Sequence, residues 1–92
     1  MVEWDEAKRL ANLRKHDVDF SIVDLLEWGD AYISEDIRRD YGERRWIAMA
    51  PYRARLYVVV YVLRDGEMRI ISARKANERE VGTYEAKMDS SH

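Results

Sequence analysis

The chain has no cysteine, which excludes disulfides and thiolate metal sites and makes a reducing compartment its natural setting. Its only histidines are His16 and His92, so no two-histidine helical metal motif exists and a metal ligand set is not expected. The four glycines stand apart at 29, 42, 66 and 82, which excludes a glycine-rich phosphate loop. No serine or cysteine nucleophile arrangement is recognisable. Apolar runs are short. The longest, Leu56 to Leu63, falls far below membrane-spanning length. The opening Met1-Val2-Glu3-Trp4-Asp5 has no basic stretch followed by an apolar one, so it does not resemble a signal peptide. The expectation is one domain over residues 1–92, cytoplasmic, with no membrane role and no cofactor.

What is present in quantity is charge, unevenly placed. Residues 1–37 hold ten acids and four bases, a net of −6, whereas residues 38–79 hold eleven bases and five acids, a net of +6. The last thirteen residues add three acids and one base, giving −2 for the whole chain. Twelve of the sixteen bases are arginine, the side chain that grips phosphate bidentately. A basic middle within an acidic protein points to a local basic surface, not to a generally cationic binder. On composition alone, arginines alternating outward to keep a sheet soluble are the favoured explanation.

The spacing predicts a helix from Asp5 to Lys15, with Asp5 as N-cap and Ala7, Leu10 and Ala11 on its apolar face. A second helix is expected from Asp19 or Ser21 to Trp28, with Ile22, Leu25 and Leu26 inward, Phe20 stapled against Leu25, and Gly29 ending it. From Ala31 the period changes to two. Ala31 to Ile37, Arg45 to Pro51, Leu56 to Leu63 and Met68 to Arg74 read as strands. Residues 38–43 form a hairpin loop, and Asp65-Gly66 a tight turn. Leu56 to Leu63 is apolar on both faces and is therefore the central strand. Asn77, with Glu80 three residues later, caps a last helix whose stripe is Val81, Tyr84 and Met88, followed by a frayed tail from Asp89 to His92. The expected fold class is α+β: two N-terminal helices, an antiparallel sheet of about four strands and a C-terminal helix.

The chemistry-bearing residues are mostly arginines. Arg74-Lys75 stands where strand gives way to helix, with Arg79 one turn inside, and strand ends beside a helix N-terminus often hold anions. Arg44 and Arg45 begin an earlier strand and could reach the same surface. Arg69 and Arg74, five apart on one strand, point to opposite faces unless a bulge intervenes. A solvated charged face is the alternative. His16 follows Lys15 at a helix end, where it serves either as a dipole-complementing cation or as an acid or base near working pH. Tyr84 lies on an apolar stripe, and Trp4, Trp28 and Trp46 are core or interface anchors.

These segments resemble a known family. Glu3-Trp4-Asp5-Glu6-Ala7-Lys8 and Asn12-Leu13-Arg14-Lys15-His16 resemble the opening of the BrnT toxins. Tyr41-Gly42-Glu43-Arg44-Arg45-Trp46, Leu56-Tyr57-Val58-Val59-Val60-Tyr61, and Arg69-Ile70-Ile71-Ser72-Ala73-Arg74-Lys75-Ala76 with Glu80 and Tyr84 are similar to its later segments. The likeness covers nearly the whole chain, in order. It departs at Asp17, where the family usually has glycine, and at Met49-Ala50-Pro51, where glycine is common near the strand end. The resemblance implies a fold similar to the RelE and ParE toxins, ribonuclease activity that halts translation, and a BrnA-like antitoxin partner through which DNA is contacted only indirectly.

On that reading RNA is cleaved without metal, the substrate's own 2′-hydroxyl acting as nucleophile. Arg45, Arg69, Arg74 and Arg79 are the candidates for a phosphate clamp. Lys15, His16, Glu43 and Tyr84 are the pool for proton transfer. The alternative is a protein-interaction module of toxin-like fold without catalysis.

Overall fold

The computed structural model describes residues 2–90. Strand β1 (Val2–Trp4) leads into helix α1 (Glu6–His16), two short 3-10 turns (Phe20–Asp24 and Trp28–Asp30), strands β2 (Tyr32–Asp36), β3 (Arg45–Tyr52), β4 (Arg55–Arg64) and β5 (Glu67–Lys75), and helix α2 (Glu78–Asp89). The sheet order is β1-β5-β4-β3-β2, so the strand apolar on both faces, β4, lies at the centre as its sequence requires. No helix among the described residues is long and apolar enough to cross a membrane.

The α+β class holds, but the sheet has five strands and is mixed. Val2–Trp4 pairs parallel with Met68–Ile70, a contact that a three-residue strand far off in sequence gives no local sign of. The Asp65-Gly66 turn has φ of 52° and 78°, the paired left-handed conformation that joins β4 to β5 tightly. Asn77 and Glu80 form both halves of a capping box on α2. That helix includes Asp89 and is capped by Ser90, both expected in a frayed tail, and residues 91 and 92 of that expectation lie outside the described residues.

The second α-helix is replaced by the two 3-10 turns. Asp19, not Ser21, is the cap of the first, and its carboxylate accepts from the Ser21 N–H at 3.0 Å. Phe20, Val23 and Leu26, three apart, are the buried side chains, which is the period of a 3-10 turn and not of an α-helix. Leu25 is consequently 53% exposed, and Phe20 packs edge-on against Trp4 instead of stapling to it. Gly29 does not close a helix with positive φ; it lies inside the second turn.

Helix α1 also turns differently from its apolar pattern. Ala7, Leu10 and Ala11 are exposed, and Asn12 is buried. Beyond β1, the outer edge of β5 lacks a neighbouring strand, and Asn12 takes that place. Its amide N–H donates to the carbonyls of Ala73 (2.7 Å) and Val18 (2.9 Å), and its oxygen accepts from the Ala73 N–H (3.2 Å). Satisfying those buried backbone groups outweighs the gain from burying Ala7, Leu10 and Ala11. One face of the sheet is thus covered by α1 and the 3-10 turns, over a core of Phe20, Val23, Leu26, Ala48, Ala50, Val59, Tyr61, Ile70 and Ala73.

Candidate active site

The opposite face of the sheet is only partly covered. Helix α2 reaches one end of it, where Ala76, Val81 and Tyr84 pack on Met49, Leu56 and Val58. What the rest of that face presents is decided in β5. Val60 pairs with Ser72 but Tyr61 with Ile70, so Ile71 is an extra residue, a β-bulge. Ile70 and Ala73, three apart, therefore both enter the core on the helix-covered side. The same displacement turns Arg69 and Arg74, five apart, onto the other face together.

Strand pairing gives the layout. At one end of this face Asp36 pairs with Arg45, and Val62, Arg69 and Glu3 stand in line one residue past the Trp46–Tyr61 pair. The next row along the strands runs Ser34, Ile47, Val60 and Ser72, and the third Tyr32, Met49, Val58 and Arg74. Val62, opposite Arg69, is fully buried. Ile47 and Val60 remain half-buried and form a floor between an arginine row and Arg74.

Most of these cations are already held by carboxylates. Arg38, at the end of β2, donates twice to Asp36, at 2.8 and 2.7 Å, and Tyr41 Oη donates to the same carboxylate at 3.1 Å. The Arg38 bonds hold the Asp36 carboxyl far below the usual carboxylate range, despite its burial. The Arg45 guanidinium lies 3.9 Å from the centre of the Tyr41 ring, and its Nε is buried without a hydrogen-bond partner among the described residues. Arg64 is paired bidentately with Glu43, Arg69 with Glu3 at 3.4 Å, and Arg74 with both oxygens of Glu80 at 2.7 Å. Arg64 pulls the Glu43 carboxyl below its ordinary value, and the charges of Arg45 and Arg69 add to that. Arg74 likewise senses Arg38. The arginines of this face therefore form one electrostatic group. Among the described residues no three groups of the kind that bind metals converge.

A family model describing the ribonuclease toxin, BrnT, of type II toxin–antitoxin systems matches residues 4–80. The chain belongs to the BrnT toxin family. A search among curated proteins gave no significant match. Membership makes this a ribonuclease toxin of a type II system, a class that works with an antitoxin partner.

Seven of the eight expected site residues fall within the BrnT match, and Tyr84 lies just beyond it. Arg45, Arg69 and Arg74 share the open face, with Glu43 beside them. Lys15 and His16 stand at the end of α1, in a shallow hollow shared with Ile71 and Ser72 along the free edge of β5. His16 is pushed below its ordinary value by burial and by the charges of Lys15 and Arg74, so it is poorly suited to be a helix-capping cation. Arg79 is exposed in the first turn of α2 and joins no ion pair among the described residues. The Tyr84 hydroxyl donates to the Asp30 carbonyl at 2.5 Å, tying α2 to the second 3-10 turn. Arg44 pairs with Glu35 and stacks over Trp46, so it serves the opposite face. Asp36, Arg38, Tyr41 and Arg64 were not among the expected site residues. Tyr41 stood inside a family-like segment, and Asp36 alternates in phase with Tyr32 and Ser34, which were the available signals.

Proposed function

We propose that this BrnT protein cleaves RNA without a metal ion, on the open arginine face of its sheet. The carrying observation is the bulge at Ile71, which puts Arg69 and Arg74 on one uncovered face with Arg45. Arginines there can hold a phosphodiester and stabilise the charge that builds on it. The 2′-hydroxyl attacks the adjacent phosphorus, a base takes its proton, and the 5′-oxygen leaves with a proton from an acid. The products are a 2′,3′-cyclic phosphate and a 5′-hydroxyl. Of the proton-transfer pool, His16 is the best supported. It is neutral near pH 7, stands at the β5 edge and lies within the field of Arg74. Glu43 is occupied by Arg64, and Tyr84 is raised by burial and engaged with Asp30. Arg45, Arg69 and Arg74 are the clamp, and Arg79 is peripheral to it. The antitoxin is a BrnA-like protein that covers this face.

One observation favours a second reading, a binding module without catalysis: Arg69 and Arg74 already hold carboxylates, as structural arginines do. Purified protein and RNA in chelator, with and without a translating extract, separate the two. Wild type is expected to cleave. Arg69→Gln and Arg74→Gln, folded by circular dichroism, are expected to lose about 10²–10³ in rate. Full activity in both variants removes the clamp, and no cleavage by wild type in either setting favours the binding module.

A further inference from the structure

We propose that Asp36 is a positioning residue for the phosphate site, setting Arg38 above the sheet face and fixing the ring on which Arg45 lies. This inference rests on the ribonuclease reading above.

Asp36 is the one buried acid among the described residues, with a side chain 1% exposed. A carboxylate loses its hydration there, so its surroundings must replace it. They do so completely. The Arg38 side chain supplies two N–H groups, the Arg38 backbone N–H a third at 3.2 Å, and the Tyr41 hydroxyl a fourth. Four donors fix the carboxylate, and they fix the donors in return.

The two partners leave Asp36 in different directions. Arg38 is 72% exposed even though its fork is anchored, so its remaining N–H groups face solvent over the sheet. It lies close enough to Arg74 for the two charges to interact. Asp36 and Glu80, each paired with one of the two, offset that repulsion and hold both forks in place. Tyr41 presents its ring to Arg45 at 3.9 Å. A planar stack restrains the guanidinium, and an arginine held in one orientation loses less entropy when it takes a phosphate. Among the described residues Arg45 is also the site arginine without a carboxylate, and its Nε lacks a partner there. Asp36 thus touches no substrate, yet it orients one cation directly and a second through Tyr41.

A purely structural role would have a different consequence. An acid that only braces the loop would, when removed, lower stability and act independently of Arg38. One that acts partly through Arg38 would lose that part of its effect once Arg38 is gone. The experiment is a double-mutant cycle with the full chain, comparing wild type, Asp36→Asn, Arg38→Gln and the double variant. Each is assayed for kcat and KM on RNA, in free solution or in a translating extract, whichever shows wild-type activity. Asp36→Asn keeps the shape and one hydrogen-bonding oxygen. It is expected to lower kcat by about 100-fold, the scale of a misplaced catalytic group, with KM changed far less. The double variant is expected to be slower than Arg38→Gln by a smaller factor than Asp36→Asn slows the wild type, because only the route through Tyr41 to Arg45 is then left to lose. Tyr41→Phe, which keeps the stacking ring, is the milder probe should Asp36→Asn fail to fold, and it is expected to lower kcat while leaving the thermal midpoint nearly unchanged. Additive losses in the cycle, or a normal kcat in Asp36→Asn or in Tyr41→Phe, overturn the positioning role while leaving the ribonuclease reading intact. Wild-type protein that cleaves no RNA in either setting overturns both.

Discussion

His16 illustrates how much one side chain depends on its neighbours. Burial first, then Lys15 and Arg74, disfavour the imidazolium, so the folded value lies below the ordinary 6.5. As a general base His16 works when neutral, so the acid limb of kcat/KM is expected to have its midpoint below 6.5 and to vanish in His16→Gln. The same shift acts on stability. On acidification the unfolded chain takes up the proton first, so stability falls as pH drops from the unfolded value to the folded one, and His16 adds no further pH dependence outside that window. An NMR titration of the ring reads the shift without any activity, and Arg74→Gln is expected to move its midpoint up. A midpoint at or above the ordinary value in wild type would remove the base assignment. The next residue shows what was legible. Asp17 has φ 57°, the left-handed conformation that glycine adopts most easily, and its N–H closes α1 on the Leu13 carbonyl. The sequence departure alone located that strain, because aspartate tolerates the region better than most side chains.

At the scale of elements, the legible parts were those whose information is local. The Asp5 cap, the Asn77–Glu80 box, the Asp65-Gly66 turn and the doubly apolar central strand all depend on residues a few positions apart. The parts that were missed depend on distant ones. Nothing near Val2–Trp4 announces a parallel partner at Met68–Ile70, and nothing near Asn12 announces the unpaired edge at Ala73. Asn12 is a polar residue at an inward helix position, which hydrophobic periodicity treats as noise, yet it stands in for a strand. Asn12→Leu would bury a side chain of similar size while leaving the Ala73 N–H and two carbonyls without partners. Expected destabilisation is about 2–3 kcal/mol, the cost of unsatisfied buried polar groups minus some apolar gain, measurable by urea unfolding. A change under about 0.5 kcal/mol would show that the edge pairing contributes little. The bulge is a similar case. Alternation alone puts Arg69 and Arg74 on opposite faces, and one extra residue in β5 reverses that.

Across the whole molecule, the uneven charge of the chain becomes a separation in space. The acidic first third supplies α1 and the 3-10 turns that cover one face of the sheet, and the basic middle supplies β3, β4 and β5, whose other face carries the arginines. The sequence showed the imbalance but not the face, because alternating arginines divide between two sides until strand order and the bulge are known. Arg44 and Arg45, adjacent in the chain, go to opposite faces for that reason. A local cationic face attracts RNA by releasing its counterions, so affinity falls with salt by about 0.7 in log–log slope per phosphate neutralised on a single strand. Contact with about three phosphates gives a slope near −2. Binding of an uncleavable 2′-O-methyl oligonucleotide, followed by fluorescence anisotropy across a salt series, measures it. Arg69→Gln is expected to reduce the slope by one phosphate's worth, whereas Arg14→Gln, exposed on α1, leaves it unchanged. Equal effects from the two would mean that the RNA senses net charge and not the arginine face. A slope near zero in wild type would mean that these arginines are neutralised by Glu3, Glu80 and Asp36 and do not meet RNA phosphates at all.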